Sequence, residues 1–291
     1  MSIKYYNSFA VIGGDKRQLF AANAIADDGY TVTLGGFDKL ISLGSLEITS
    51  PLEAAICSEI IVLPLPTIKD DKQINAPFSK KAIIFDEGLV TATHGKKIFC
   101  GMKKQLLDAI PALNRNLVYD YFDREEFEIN NAIPTAEGAI EIAMREYEGT
   151  INHSNCLVCG FGRIGKILSG RLKGLGANVT VSARKTSDAA WIELLGYKFI
   201  NTANLMKADR FEIIFNTVPA LIFDSHLLAT IAINALLIDL ASNPGGVDFS
   251  AAKRLHIPAI HALSLPGKAA PKTAGEIIKK TIFNMLDEEG A

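Results

Sequence analysis

The stretch Asn155–Lys166, NCLVCGFGRIGK, carries two motifs with different chemistry. Cys156 and Cys159 form a C-x-x-C pair, which can serve redox or metal chemistry. They fall in an apolar run that reads as a β-strand. Strand side chains alternate between faces, so residues three apart point in opposite directions and cannot grip one ion. The pair reads as small buried strand residues, and no metal is called for. Gly160-Phe161-Gly162-Arg163-Ile164-Gly165 is a G-x-G-x-x-G that follows the strand and opens a helix. In that context Gly160 permits the tight turn, and Gly162 lets backbone approach a pyrophosphate. Gly165 lets the helix pack closely on the strand. The phosphates would sit on the free N–H groups of the helix start.

The next strand ends in Ser182-Ala183-Arg184-Lys185, with no Asp or Glu to hold ribose hydroxyls. Ser182, Arg184 and Lys185 suit a 2′-phosphate instead, which favours NADP over NAD. Alternatively, Arg184 stacks on adenine or faces solvent. Two later strand ends are expected near the cofactor's reactive end. One is Asn216-Thr217-Val218-Pro219; the other is Ala241-Ser242-Asn243 before a Pro-Gly-Gly turn. Each also reads as an ordinary strand exit.

Substrate chemistry points to other residues. The first strand runs into VIGGDKRQ, where Asp15 would repel a phosphate and Arg17 and Gln18 suit a small anion. Thr135 and Glu137 stand at the expected start of a long helix, Thr135 as cap and Glu137 in the first turn. Both are explained by that structural role, or Glu137 accepts a proton from substrate. Lys268 and Lys272 suit a carboxylate or a phosphate, or are solvated. His261 is the one histidine near a strand end and a weak candidate base. Arg124, among acids, reads as a surface ion pair.

Apolar β-rich runs alternate with helical patterns throughout, the α/β signature. The expected architecture is two Rossmann-like, doubly wound parallel-sheet domains with an interdomain cleft. Residues 1–132 form a substrate domain without a fingerprint, and 133–150 a linking helix. Residues 151–266 form an NAD(P)-binding domain, and 267–291 a last helix packing back on the first domain. The chain has 291 residues, 48% apolar and 21% charged, with a net charge of −2. That composition supports sizeable cores and offers no basic face for nucleic acid. No apolar run suits a membrane span and no signal-peptide pattern opens the chain, so a cytoplasmic location is expected.

Taken in order, GGDKRQ, IPTAEG, GFGRIG, NTVP, DLASNPGG and LPGKAAPKTAG resemble the family of the dipicolinate synthase A subunit, from Gly13 to Gly275. The resemblance implies a dehydrogenase of sporulating bacteria, in the mother-cell cytoplasm. With the separate, flavoprotein-like B subunit of dipicolinate synthase, it would oxidise dihydrodipicolinate, a dicarboxylate, to dipicolinate. A homo-oligomer is also expected. Arg17 and Lys268 would meet the carboxylates, and Glu137 or a water would take the ring proton. Two positions depart from the family pattern: Asn243 stands where a basic residue is usual, and Lys268 where an apolar one is. Two other readings remain. One is a dehydrogenase of a 2-hydroxy or amino acid, which the absence of a late histidine disfavours. The other is a non-catalytic, nucleotide-gated protein that presents substrate to the B subunit.

Overall fold

The computed structural model describes residues 6–40 and 46–289. The chain divides into two compact units, Met1–Asn131 with Ala270–Ala291, and Ala132–Ala269.

In unit 1 the sheet strands are β1 (Ser8–Ile12), β2 (Thr31–Gly35), β3 (Glu47–Thr49) and β4 (Ile60–Val62). A hairpin, β5 (Ile68–Asp70) and β6 (Gln73–Ile74), interrupts them before β7 (Lys97–Cys100) and β8 (Val118–Asp120). The six sheet strands lie parallel in the order β3-β2-β1-β4-β7-β8, the doubly wound arrangement. Four helices connect them: α1 (Lys16–Asp27), α2 (Pro51–Cys57), α3 (Glu87–Ala92) and α4 (Lys103–Ala109). Both sheet faces are buried. Phe9 and Val11 enter one core while Ala10 and Ile12 enter another, which explains the unbroken apolar run of β1.

A long helix, α5 (Glu125–Glu146), follows, and the division between units falls within it. It begins eight residues before Ile133, where the sequence pattern places its start. Glu125, Glu126 and Glu128 occupy its first turn, where the helix dipole favours negative charge. Pro134 is carried inside the helix. Thr135 is therefore not a cap, and Glu137 is not in the first turn. Thr135 is buried, and Ala136, Ala139, Ile140 and Ala143 belong to the core of unit 2.

Unit 2 contains β9 (Asn155–Cys159), β10 (Asn178–Ala183), β11 (Lys198–Asn201), β12 (Ile213–Asn216), β13 (Leu236–Asp239) and β14 (Ala259–His261). All are parallel, in the order β11-β10-β9-β12-β13-β14. Its helices are α6 (Arg163–Gly174), α7 (Thr186–Leu194), α8 (Ser225–Leu228), α9 (Phe249–Arg254) and α10 (Leu265–Ala269). The last helix, α11 (Pro271–Glu289), lies along α1 in unit 1. Gly275 makes this approach possible: a side chain there would meet Arg17 O and Ala21 N. Arg124 binds Glu288 through both terminal nitrogens, and Lys279 pairs with Asp28 at 2.5 Å. Among the described residues no helix is long and apolar enough to cross a membrane.

Candidate functional site

The two units have the same strand order but treat the first strand-to-helix turn in opposite ways. In unit 1 the N-terminus of α1 is closed by the chain itself. Asp15 caps it by accepting from Arg17 N at 2.9 Å, and Gln18 Oε1 accepts from Asp15 N at 3.1 Å. Gly14 N donates to Asn75 O at 2.7 Å, and Ile74 lies against Gly13. The chain after β6 thus covers the turn where a pyrophosphate would lie in this fold.

In unit 2 the same place is open. Gly160 has φ +98°, and any side chain on it would strike Thr217. Gly165 packs on the carbonyl of Gly160. Gly162 is the N-cap of α6, makes no side-chain cap, and has empty space where a Cβ would project. The first-turn N–H groups of a helix have no internal partners. Among the described residues no side chain caps them, and none lies within 4 Å of where a Gly162 Cβ would stand. These residues fit the pyrophosphate of a dinucleotide. Phe161 is buried in the core with Lys166 Nζ 5.5 Å from its ring centre; Ile164 packs on the same core, and Arg163 is exposed.

One register row crosses the sheet at the carboxyl ends of the strands: Ser182, Cys159, Asn216, Asp239 and His261 are successive partners. This row lies beneath the site and builds it. Ser182 is fully buried, which corrects its expected role as a phosphate ligand: the strand's alternation turns it into the interior beside Cys159. Arg184 and Lys185, just beyond the strand, are exposed cations. Asn216 is also fully buried. Its Nδ2 donates to Val218 O at 3.0 Å and to Asp239 Oδ1 at 2.8 Å, and its Oδ1 accepts from Val218 N at 3.2 Å. It shapes the loop that follows β12. Thr217 Oγ1 donates to Cys159 O at 2.8 Å. Val218 is half-buried, and Pro219 and Ser242 are exposed on the two loops; Ala241 is buried.

Asp239 is the residue that sequence reading missed. It is fully buried and accepts from Asn216 Nδ2, Ala241 N (3.1 Å) and Gly246 N (2.8 Å). Its signal was a single acid inside the apolar strand LLID. Buried carboxylates are rare unless fully hydrogen-bonded. His261, the weak base candidate, donates from Nε2 to Ala241 O at 3.1 Å and stacks on Phe249.

The two cysteines lie in separate cores, Cys156 with Val158 and Cys159 with Leu157. Burial pushes the Cys156 thiol up to about 11 and the Cys159 thiol up to about 12.

Among the expected substrate residues, Arg17 is the most constrained. Its Nε and Nη2 grip Asp15 at 2.9–3.1 Å, and Nη2 also reaches Leu65 O at 2.7 Å. Nη1 has no hydrogen-bond partner among the described residues. Glu137 is exposed and pairs with Arg171 at 3.0 Å. Lys268 is exposed in α10, and Lys272 lies 4.0 Å from Glu276 in α11.

Fold and site define a class: a two-unit α/β protein of Rossmann type whose second unit carries the dinucleotide fingerprint. Residues 8–122 match the model of the N-terminal domain of the dipicolinate synthase A subunit. The chain is 32% identical over 283 residues to the dipicolinate synthase A subunit of Bacillus subtilis (strain 168), covering 96% of this chain and 95% of that one. It belongs to the dipicolinate synthase A subunit family. The crystal structure of the dipicolinate synthase A subunit from Bacillus halodurans superposes with a TM-score of 0.86 at 29% identity, covering 96% and 97% of the two chains. The fold extends further, to a transhydrogenase from Sinorhizobium meliloti with a TM-score of 0.70 at 14% identity, covering 96% and 94%.

Proposed function

We propose that this chain is the dehydrogenase of dipicolinate synthase. It oxidises dihydrodipicolinate to dipicolinate with NADP, beside the separate B subunit, in the mother-cell cytoplasm of a sporulating bacterium. The observation that carries this reading is the uncapped, uncovered start of α6 at Gly162, in a family named for dipicolinate synthesis.

A bound nicotinamide supplies the hydride acceptor. The chain's own residues do the rest. Gly162 and the first-turn amides of α6 hold the phosphates, and the packing of Gly160 and Gly165 keeps that turn in place. Arg184 and Lys185 favour a 2′-phosphate, because guanidinium and ammonium groups suit phosphate and the end of β10, Ser182 to Lys185, carries no acid to bind a free ribose. Asn216, Asp239 and His261 shape the loops 217–220 and 241–246, whose exposed residues Pro219 and Ser242 line the half of the sheet that takes the reactive end. Arg17 is assigned a substrate carboxylate through Nη1. Lys268 remains a candidate for a carboxylate or a cofactor phosphate.

The oxidation removes one hydride and one proton from the ring. The proton is assigned to water, since Glu137 is already held by Arg171 at the surface. Aromatisation supplies the driving force, so strong general-base catalysis is not required.

The test combines the chain with the B subunit, dihydrodipicolinate and NADP, and follows absorbance at the reduced-nicotinamide band. Growth of that band together with dipicolinate is expected. Dipicolinate formed with no reduced nucleotide would assign the chain the non-catalytic, presenting role instead.

A further inference from the structure

We propose that Asp239 is a positioning residue for the reactive half of the nucleotide site, acting through Asn216 and Gly246 without touching the ligand. This inference rests on the dinucleotide reading above.

The geometry is specific. Asp239 ends β13 and Asn216 ends β12, and the two are register partners on adjacent parallel strands. Beyond them the chain leaves the sheet as two loops, 217–223 and 241–247. Asp239 reaches both. Its Oδ1 accepts from Asn216 Nδ2 at 2.8 Å and from Ala241 N at 3.1 Å; its Oδ2 accepts from Gly246 N at 2.8 Å. Asn216 passes the constraint on, exchanging hydrogen bonds with both Val218 N and Val218 O. Gly246 O then accepts from Ile222 N at 3.0 Å and Phe223 N at 2.9 Å, which closes the strap between the loops. Gly246 has no room for a side chain against Asn216 Nδ2 and the carbonyls of Val218 and Ala220. A Cβ on Gly245 would stand 2.6 Å from Asp239 Oδ2 and 3.2 Å from His261 Nε2. Two strand ends and the two loops that follow them are thus tied to one carboxylate.

A buried anion is costly unless its environment is built for it. Here the donors are two backbone N–H groups and one side-chain amide, with no ion-pair partner among the described residues. An apolar residue at position 239 would leave the Ala241 and Gly246 N–H groups without an acceptor and Asn216 Nδ2 with Val218 O alone. In this fold the half-sheet β12-β13-β14 takes the reactive mononucleotide, whereas β9-β10-β11 takes the adenosine. The Asp239 network lies wholly in the first half-sheet and its loops. Fixing these loops in advance lowers the ordering cost of binding at that end alone.

The test measures two ligands by calorimetry on the full chain: NADP, and its fragment 2′-phospho-ADP-ribose, which lacks the nicotinamide. The variant is Asp239→Asn, nearly the same shape but with a donor in place of one acceptor. The expected result is unchanged fragment affinity and NADP affinity reduced about tenfold or more, which corresponds to about 1.4 kcal/mol. Equal weakening of both ligands assigns Asp239 to general stability and overturns the proposal. So does unchanged binding of both. If Asp239→Asn does not fold, Asn216→Ala carries the same comparison with the same outcomes. Wild-type protein that binds neither ligand sinks the dinucleotide reading itself, a result distinct from either of these.

Discussion

The α-carbon of Gly165 faces the carbonyl oxygen of Gly160 with no room between them for a methyl group. Within the same turn, Gly162 faces empty space. The motif therefore holds one glycine for packing and one for access. Gly165→Ala forces α6 away from β9. Overpacking of this kind costs about 1–3 kcal/mol, so the melting temperature and nucleotide affinity should fall together. Gly162→Ala adopts ordinary backbone angles, φ −80° and ψ −163°. It should leave the melting temperature nearly unchanged while weakening nucleotide binding, because its methyl projects into the open space beside the helix start that a pyrophosphate needs. Thermal melts paired with calorimetric titrations separate the two outcomes.

Arg184 and Lys185 are the exposed cations at the end of β10, and Ser182 is out of reach beneath them. Arg184→Ala should lower NADP affinity about tenfold to a hundredfold, since a charge-assisted hydrogen bond contributes roughly 1.5–3 kcal/mol. NAD affinity should not change. Ser182→Ala should alter neither. Parallel titrations with the two nucleotides check this, and equal loss of both would remove Arg184 from the 2′-phosphate.

Cys156 and Cys159 make stability depend on pH in the alkaline range. An ordinary thiol ionises near 9.0; burial raises these two to about 11 and about 12. The folded state keeps its protons while the unfolded chain loses them. Stability is therefore intact below pH 9 and falls as pH rises from 9 towards 11 or 12. The limiting slope is about 1.4 kcal/mol per pH unit for each thiol. Denaturant titrations at pH 8, 9 and 10 should show this decline, and Cys156→Ala should have a shallower slope than wild type. At neutral pH Cys57, the exposed cysteine, should react with a thiol reagent while Cys100, Cys156 and Cys159 stay protected.

Glu137→Gln tests the route of the proton. The Glu137–Arg171 pair is exposed, and such pairs contribute about 0–1 kcal/mol. The melting temperature should hardly move. With water as acceptor, kcat and KM with dihydrodipicolinate should stay close to wild type. A fall in kcat at constant KM would return the base role to Glu137.

The sheets and the fingerprint are legible in the sequence because their signals are local. Apolar runs of strand length, separated by helical patterns, give a doubly wound fold, and six such runs after residue 150 are β9 to β14. Period-two alternation puts Cys156 and Cys159 on opposite faces, and they lie in separate cores. The start of α5 is not legible in the same way, because Thr135 and Glu137 mimic a cap and a first-turn acid while the acids at 125–128 set the helix start earlier. Ser182 misleads because distance along the chain does not say which way a strand's last side chain turns.

By itself the sequence determined where the chain turns, which runs are buried on both faces, and which glycines stand between a strand and a helix. These depend on residue type within a few positions. The sequence also separated the two first turns, through Asp15 in one and the fingerprint in the other; only the tertiary structure showed how the first is closed. Asp15 and the chain after β6 cover one, and no side chain caps the other. It alone also revealed Asp239, whose role depends on Asn216 at the end of β12 and two amides of the loop 241–246 meeting at one buried carboxylate. Burial and long-range hydrogen bonding are properties of the packed chain, and no spacing along the sequence encodes them.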